Sequence, residues 1–174
     1  MRFPTLTRRT FLKAAIAGGG VVLLGGGGLL GLRGSAPRVE GLRALSEQEH
    51  RTLSQLARAT FPEGGPFAAG AEGADLARVF DGFLADEPEW NRRDLKDALG
   101  LLEFGPVVYE GRLKTFSHLS AEERLAHFQR WRESDDLLRR QVATALTKFL
   151  CLVFYDRPEA WPALGYDGPM IKPG

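Results

Sequence analysis

Leu138-Arg139-Arg140-Gln141-Val142-Ala143-Thr144-Ala145-Leu146-Thr147-Lys148-Phe149-Leu150-Cys151-Leu152-Val153-Phe154-Tyr155 is the most apolar stretch of the chain beyond residue 36. Leu138, Val142, Ala145, Phe149 and Leu152, joined by Val153, recur at intervals of three and four, the period of a helix with one buried face. This helix is expected at the centre of the fold. Arg140, Gln141, Thr144, Thr147 and Lys148 interrupt it with polar groups and argue against a membrane span. Working outward, Ser120-Ala121-Glu122-Glu123 is a capping box, in which serine and glutamate each satisfy a backbone N–H of the helix start. Leu125, Phe128 and Trp131 follow it at three-residue spacing. Asn91 can cap an earlier helix with Leu95, Ala98, Leu99 and Leu102 along its face, closed by Gly105-Pro106. A poorly patterned piece then runs from Val107 to Phe116. Leu76, Val79, Phe80, Phe83 and Leu84 predict a helix ended by Pro88, and Ser46-Glu47-Gln48-Glu49 predicts one that runs to Phe61-Pro62. Between these two, Phe61 to Gly73 holds four glycines and two prolines and reads as a long loop. No segment alternates at period two and no repeat is visible. The expectation is an all-α bundle of about five helices over residues 37–155.

The two ends differ from this body. Residues 156–174 hold four prolines and three glycines together with Trp161, Leu164, Tyr166, Met170 and Ile171. The expectation is an extended tail whose aromatic residues either cover their own bundle or dock on another protein. At the other end, Thr7-Arg8-Arg9-Thr10-Phe11-Leu12-Lys13 precedes Ala14 to Leu32, 19 residues containing only Ala, Ile, Val, Leu and Gly. The pattern resembles a twin-arginine export signal, carried by Arg8, Arg9, Phe11, Leu12 and Lys13 and read by the twin-arginine translocase. Eight glycines keep the run weakly hydrophobic, and at 1.5 Å per residue it reaches about 28 Å, enough to span a hydrocarbon core. Residues 1–36 are thus a signal or a membrane anchor, with a small-x-small cleavage site at Gly34-Ser35-Ala36 that Pro37 makes a poor one. The implied destination is the periplasm or the outer face of the inner membrane. Substrates of this route cross the membrane folded, often because they or a partner have acquired a cofactor first.

Charge excludes one class of partner. The 174 residues carry 23 basic and 22 acidic side chains, and the first 36 hold Arg2, Arg8, Arg9, Lys13 and Arg33 and no acid, so the remainder has 18 basic against 22 acidic residues. A domain with that balance has no broad basic surface for nucleic acid. One cysteine excludes an internal disulfide.

Candidate chemistry is sparse. Glu123 and His127 stand at the spacing of a helical metal pair, and they read as a solvated ion pair. Cys151 reads as a buried small hydrophobe. Asp86-Glu87 and Asp135-Asp136 sit at helix ends. There is no CxxCH for haem and no GxSxG nucleophile turn, and the glycine runs lack the strand that a dinucleotide site needs. No catalytic, cofactor or metal residues are expected in this chain. An address used for cofactor proteins on a chain with no cofactor motif points to a partner that holds the cofactor.

A family resemblance leads to the same place. Residues 46–62 ending Arg58-Ala59-Thr60-Phe61-Pro62, the stretch Phe116-Ser117-His118-Leu119-Ser120-Ala121-Glu122-Glu123-Arg124, Trp131-Arg132-Glu133-Ser134, Phe154-Tyr155-Asp156-Arg157-Pro158-Glu159-Ala160-Trp161 and Leu164-Gly165-Tyr166-Asp167-Gly168-Pro169 resemble, in that order, the gluconate 2-dehydrogenase subunit 3 family. The resemblance implies a small non-catalytic subunit of a membrane-associated dehydrogenase of sugars, sugar acids or polyols. It implies FAD in a large subunit of the glucose-methanol-choline type, with a multihaem cytochrome c often receiving the electrons. The small subunit would supply the export signal and support folding of its partner. Trp161, Leu164, Tyr166 and Met170 are the candidate docking residues. The alternative is a freestanding envelope-anchored helical protein, or a small enzyme using the region of His118, Glu123 and His127.

Overall fold

The structure, a computed structural model, describes residues 34–64, 70–71 and 75–168. Among them the fold is all-helical, without a strand. It comprises α1 (Glu47–Thr60), α2 (Leu76–Asp86), α3 (Glu89–Glu110), a 3-10 turn (Phe116–His118), α4 (Ala121–Arg132), α5 (Leu137–Tyr155), a second 3-10 turn (Pro158–Ala160) and the four-residue α6 (Trp161–Leu164). None of these helices is long and apolar enough to cross a membrane. The expected central helix, α5, shares that role with α1: each of the two packs against α2, α3 and α4.

Side-chain caps set three of the helix starts. At α1, Glu49 Oε2 accepts from Ser46 N–H at 2.7 Å while Ser46 Oγ accepts from Glu49 N–H at 3.3 Å. At α4 the same pair of bonds joins Ser120 and Glu123, at 2.9 and 3.2 Å. Each box contributes about 1 kcal/mol by satisfying donors that the first turn leaves open. Asp136 caps α5, its carboxylate accepting from Leu138 N–H at 2.8 Å and Arg139 N–H at 3.4 Å.

Three readings are corrected by packing. The third helix does not close at Gly105-Pro106, since α3 continues to Glu110 and ends on Gly111, whose φ of 65° only glycine adopts freely. Gly105 is instead a notch in which α4 lies: a Cβ there would stand 2.5 Å from Trp131 Cζ2 and 2.9 Å from His127 Nε2. Asn91 is not the cap but lies inside the first turn of α3, its amide donating to Glu87 Oε2, and Pro88 precedes the helix. On α2, Val79 is exposed and Asp81 is buried. Asp81 accepts the N–H groups of Arg43, Ala44 and Leu45 at 2.7, 3.0 and 2.7 Å, which ties the approach segment to the bundle. Burial works to raise its carboxyl pKa, but those three donors outweigh it and hold it below the usual range.

The core holds Leu53, Leu56, Phe80, Leu84, Leu99, Leu102, Phe116, Trp131, Leu146 and Leu150, all fully enclosed. One carboxylate is enclosed with them. Glu103 accepts from Thr52 Oγ1 at 2.9 Å, Ser117 Oγ at 2.8 Å and Ser117 N–H at 3.1 Å, and so joins α1, α3 and the first 3-10 turn. Leu125 and Leu152, expected on buried faces, are exposed.

Candidate functional site

The export residues Arg8, Arg9, Phe11, Leu12 and Lys13 lie outside the described residues, as does Met170 of the tail. The histidine region and residues 156–168 of the tail are described.

The expected ion pair between Glu123 and His127 does not form. Glu123 is committed to Ser120 and, at 2.8 Å, to Arg112. His127 is fully enclosed, with Nδ1 at 2.6 Å from Glu110 Oε1. Phe128 and Trp131 turn α4 so that His127 faces the Gly105 notch, where its ring lies 5.4 Å from that of Trp131 and 5.9 Å from that of Phe116. Burial pushes the imidazole pKa down, and the bond to Glu110 opposes this without reversing it. Burial alone would raise Glu110, but hydrogen bonds from Arg130 and His127 hold it below the usual carboxylate range. The pair is therefore a neutral imidazole donating its Nδ1–H to a carboxylate, which also takes Arg130 at 2.7 Å and Arg112 at 2.9 Å. A histidine oriented by a carboxylate has the composition of a general base. Here Nε2 points at Gly105, so the arrangement holds α3 to α4.

His118 is separate again, with Nδ1 at 2.9 Å from Thr115 Oγ1. His118, Glu123 and His127 thus each have a different partner. Among the described residues no group of three or more His, Cys, Asp or Glu side chains is placed to hold a metal. Cys151, expected to be buried, is half-buried, and burial pushes its thiol pKa up, away from the reactive thiolate.

At the tail, chemistry gives way to surface. The segment read as extended contains the second 3-10 turn and α6, with Ala160 buried. Trp161 is half-buried and roots the tail on the end of α5. Its Nε1–H donates to Tyr155 O at 3.1 Å and its ring meets Tyr166 edge-on at 5.4 Å. Gly168, at φ 101°, lies against the indole so closely that a Cβ would stand 2.9 Å from Cζ3. Beneath this, Phe61 stacks flat on Phe154 at 4.1 Å with Tyr155 edge-on at 6.2 Å. Leu164 and Tyr166 remain about half exposed, at 50% and 48%. Of the candidate docking residues, Trp161 is thus an anchor of the tail itself, while Leu164 and Tyr166 face outward.

Sequence reasoning missed Gly105, Asp81 and the Glu103 cluster. A glycine amid the apolar positions of a helix, and Thr52 on the buried face of α1, were the available signals. Comparison of the chain with protein-family models, with curated proteins and with solved structures gives no match.

Proposed function

We propose that this chain is the non-catalytic small subunit of a flavin-dependent dehydrogenase, carrying a large subunit of the glucose-methanol-choline type through twin-arginine export and stabilising it in the cell envelope. The observation that carries the reading is the twin-arginine stretch at Thr7–Lys13 ahead of the ordered family-like segments. Packing is in keeping with it: the first of those segments closes with Phe61-Pro62 and the fourth begins on Phe154, and the Phe61 and Phe154 rings are stacked. The cofactor is FAD in the partner, with haem c in a third subunit where a cytochrome takes the electrons. Leu164 and Tyr166 supply exposed apolar surface for docking at the end of the bundle.

The test is export of two proteins by one signal. Replacing Arg8 and Arg9 with Lys keeps the charge and removes the planar guanidinium forks. Both this chain and the flavoprotein should then disappear from the periplasmic and membrane fractions. A flavoprotein that still reaches the envelope when this chain does not would sink the escort reading.

A further inference from the structure

The segment between the apolar run and the bundle bears on what happens to the signal. Leu32 ends the run, and Arg33 alone separates it from Gly34. From Gly34 onward the backbone is held by side chains of the bundle. Gly34 O accepts from Gln48 Nε2 at 2.9 Å and Ser35 O from Arg51 Nη1 at 3.1 Å, both on the first turns of α1. Gly34 itself is left-handed, at φ 63°, and a Cβ there would stand 3.3 Å from His118 Nε2. Arg78 holds Glu40 O at 3.1 Å, Lys96 holds Ala44 O at 2.9 Å, and Asp81 takes three consecutive N–H groups ending at the buried Leu45.

A peptidase that reads an extended substrate pairs with its main-chain groups as an added strand. The small-x-small site Gly34-Ser35-Ala36 does not offer that form. Two of its carbonyls already accept from the bundle, and its first residue is turned out of the extended region. A chain that crosses the membrane folded carries this arrangement with it, so the site arrives already engaged.

We propose that the fold withholds the Gly34-Ser35-Ala36 site from signal peptidase, so that the exported chain keeps residues 1–36 and stays tethered by its own apolar run. This rests on reading Thr7–Leu32 as an export signal. Pro37 is an independent obstacle to cleavage, and the experiment removes it first.

The full chain, with its own signal, a C-terminal tag and its Pro37→Ala substitution, is produced in a host with the twin-arginine route. Protease added to spheroplasts reports export, and intact mass with N-terminal sequencing reports cleavage. The Pro37→Ala chain should be exported, full length and retained in membranes after an alkaline wash. Adding Gln48→Ala and Arg51→Ala should speed cutting after Ala36 roughly tenfold, the effect of freeing two hydrogen bonds. A second variant leaves the bundle untouched: a duplicate of residues 33–37, with alanine for the proline, inserted ahead of Gly34 places the same site outside the held segment, where it should be cut. Export followed by complete cleavage of the Pro37→Ala chain overturns this proposal and leaves the export reading standing. An uncut duplicate also overturns it, because the held segment would not be what protects the site. A chain that stays shielded from protease in spheroplasts overturns the export reading and this proposal with it.

Discussion

Gly100 and Gly105 lie on the same helix, and the same substitution should act in opposite directions at the two. At Gly105 an added Cβ meets Trp131 Cζ2 at 2.5 Å, His127 Nε2 at 2.9 Å and His127 Cε1 at 3.3 Å. Neither neighbour can yield cheaply. Trp131 is enclosed and held edge-on by Tyr109 at 5.6 Å, and His127 is tied to Glu110 at 2.6 Å. Overpacking of this kind costs up to about 3 kcal/mol, and the gain in helix propensity from glycine to alanine returns about 1 kcal/mol. Gly105→Ala should therefore destabilise the bundle by about 2 kcal/mol. At Gly100 nothing lies within 4 Å of the added atom, so only the propensity term acts, and Gly100→Ala should stabilise by up to about 1 kcal/mol. For a domain of this size the melting temperatures should move by roughly −7 °C and +4 °C. Urea denaturation of the purified chain, followed by helical circular dichroism, measures both. A Gly105→Ala chain at least as stable as the parent would refute the close seating of α4 on α3, and a destabilised Gly100→Ala chain would refute the open face assigned to that position.

Other outcomes follow from the same contacts. Glu103→Gln should change stability by less than about 0.5 kcal/mol, since the amide oxygen can accept from Thr52 and Ser117 N–H while its NH2 donates to Ser117 Oγ; Glu103→Leu leaves those groups unsatisfied and should cost about 3 kcal/mol. His127 is pushed below its ordinary 6.5 in the folded chain, so the unfolded chain takes up a proton first as pH falls and stability drops below about pH 6.5. Glu110, held below 4.5, adds a further loss as the pH falls through its folded value, and His50, also lowered by burial, acts in the same sense as His127. In a His50→Asn chain the melting temperature should still fall between about pH 7 and about pH 5, and a flat profile would refute the neutral, enclosed His127. Leu164→Ala with Tyr166→Ala should leave melting nearly unchanged and weaken capture of the proposed flavoprotein partner roughly tenfold, whereas Trp161→Ala should lower melting and cost roughly 2 kcal/mol of that affinity. Unaltered capture by the Leu164→Ala, Tyr166→Ala chain would remove the tail from the docking surface.

What was legible in the sequence is what is decided within a few residues. Ser46 and Ser120 find their partners three positions on, and both helix starts follow. The end of α3 was illegible for the opposite reason. Gly105-Pro106 reads locally as a stop, but the reason for the glycine lies on α4, in Trp131 and His127. That misreading carried a second with it. With α3 closed at Gly105, Glu110 falls in an unpatterned piece, and Glu123 is left as the apparent partner of His127. Once the helix runs to Glu110, the carboxylate is brought against the imidazole from another element, and Glu123 is free to bind Arg112. Asp81 was hidden in the same way, because its donors come from a segment 36 to 38 residues earlier that has no periodic pattern of its own.

The two proposals, a retained signal and a docking tail, place different demands on the chain, and α1 separates them. Gly34 and Ser35 hang from Gln48 and Arg51 near the start of α1. Phe61 caps its other end, stacks on Phe154 and touches Tyr155, whose carbonyl holds Trp161. From Gln48 to Phe61 the chain advances about 20 Å at 1.5 Å per residue. The segment that follows the apolar run and the root of the tail are therefore at opposite ends of one helix. Exposed aromatic side chains near a bilayer partition into its interface, so Tyr166 placed beside Gly34 would meet headgroups in competition with a partner. At the far end of α1 a retained anchor would leave it clear of that competition. An escort must also hold its cargo while the translocase holds the signal, and the two proposed binding regions, at opposite ends of one helix, would allow both to be engaged at once.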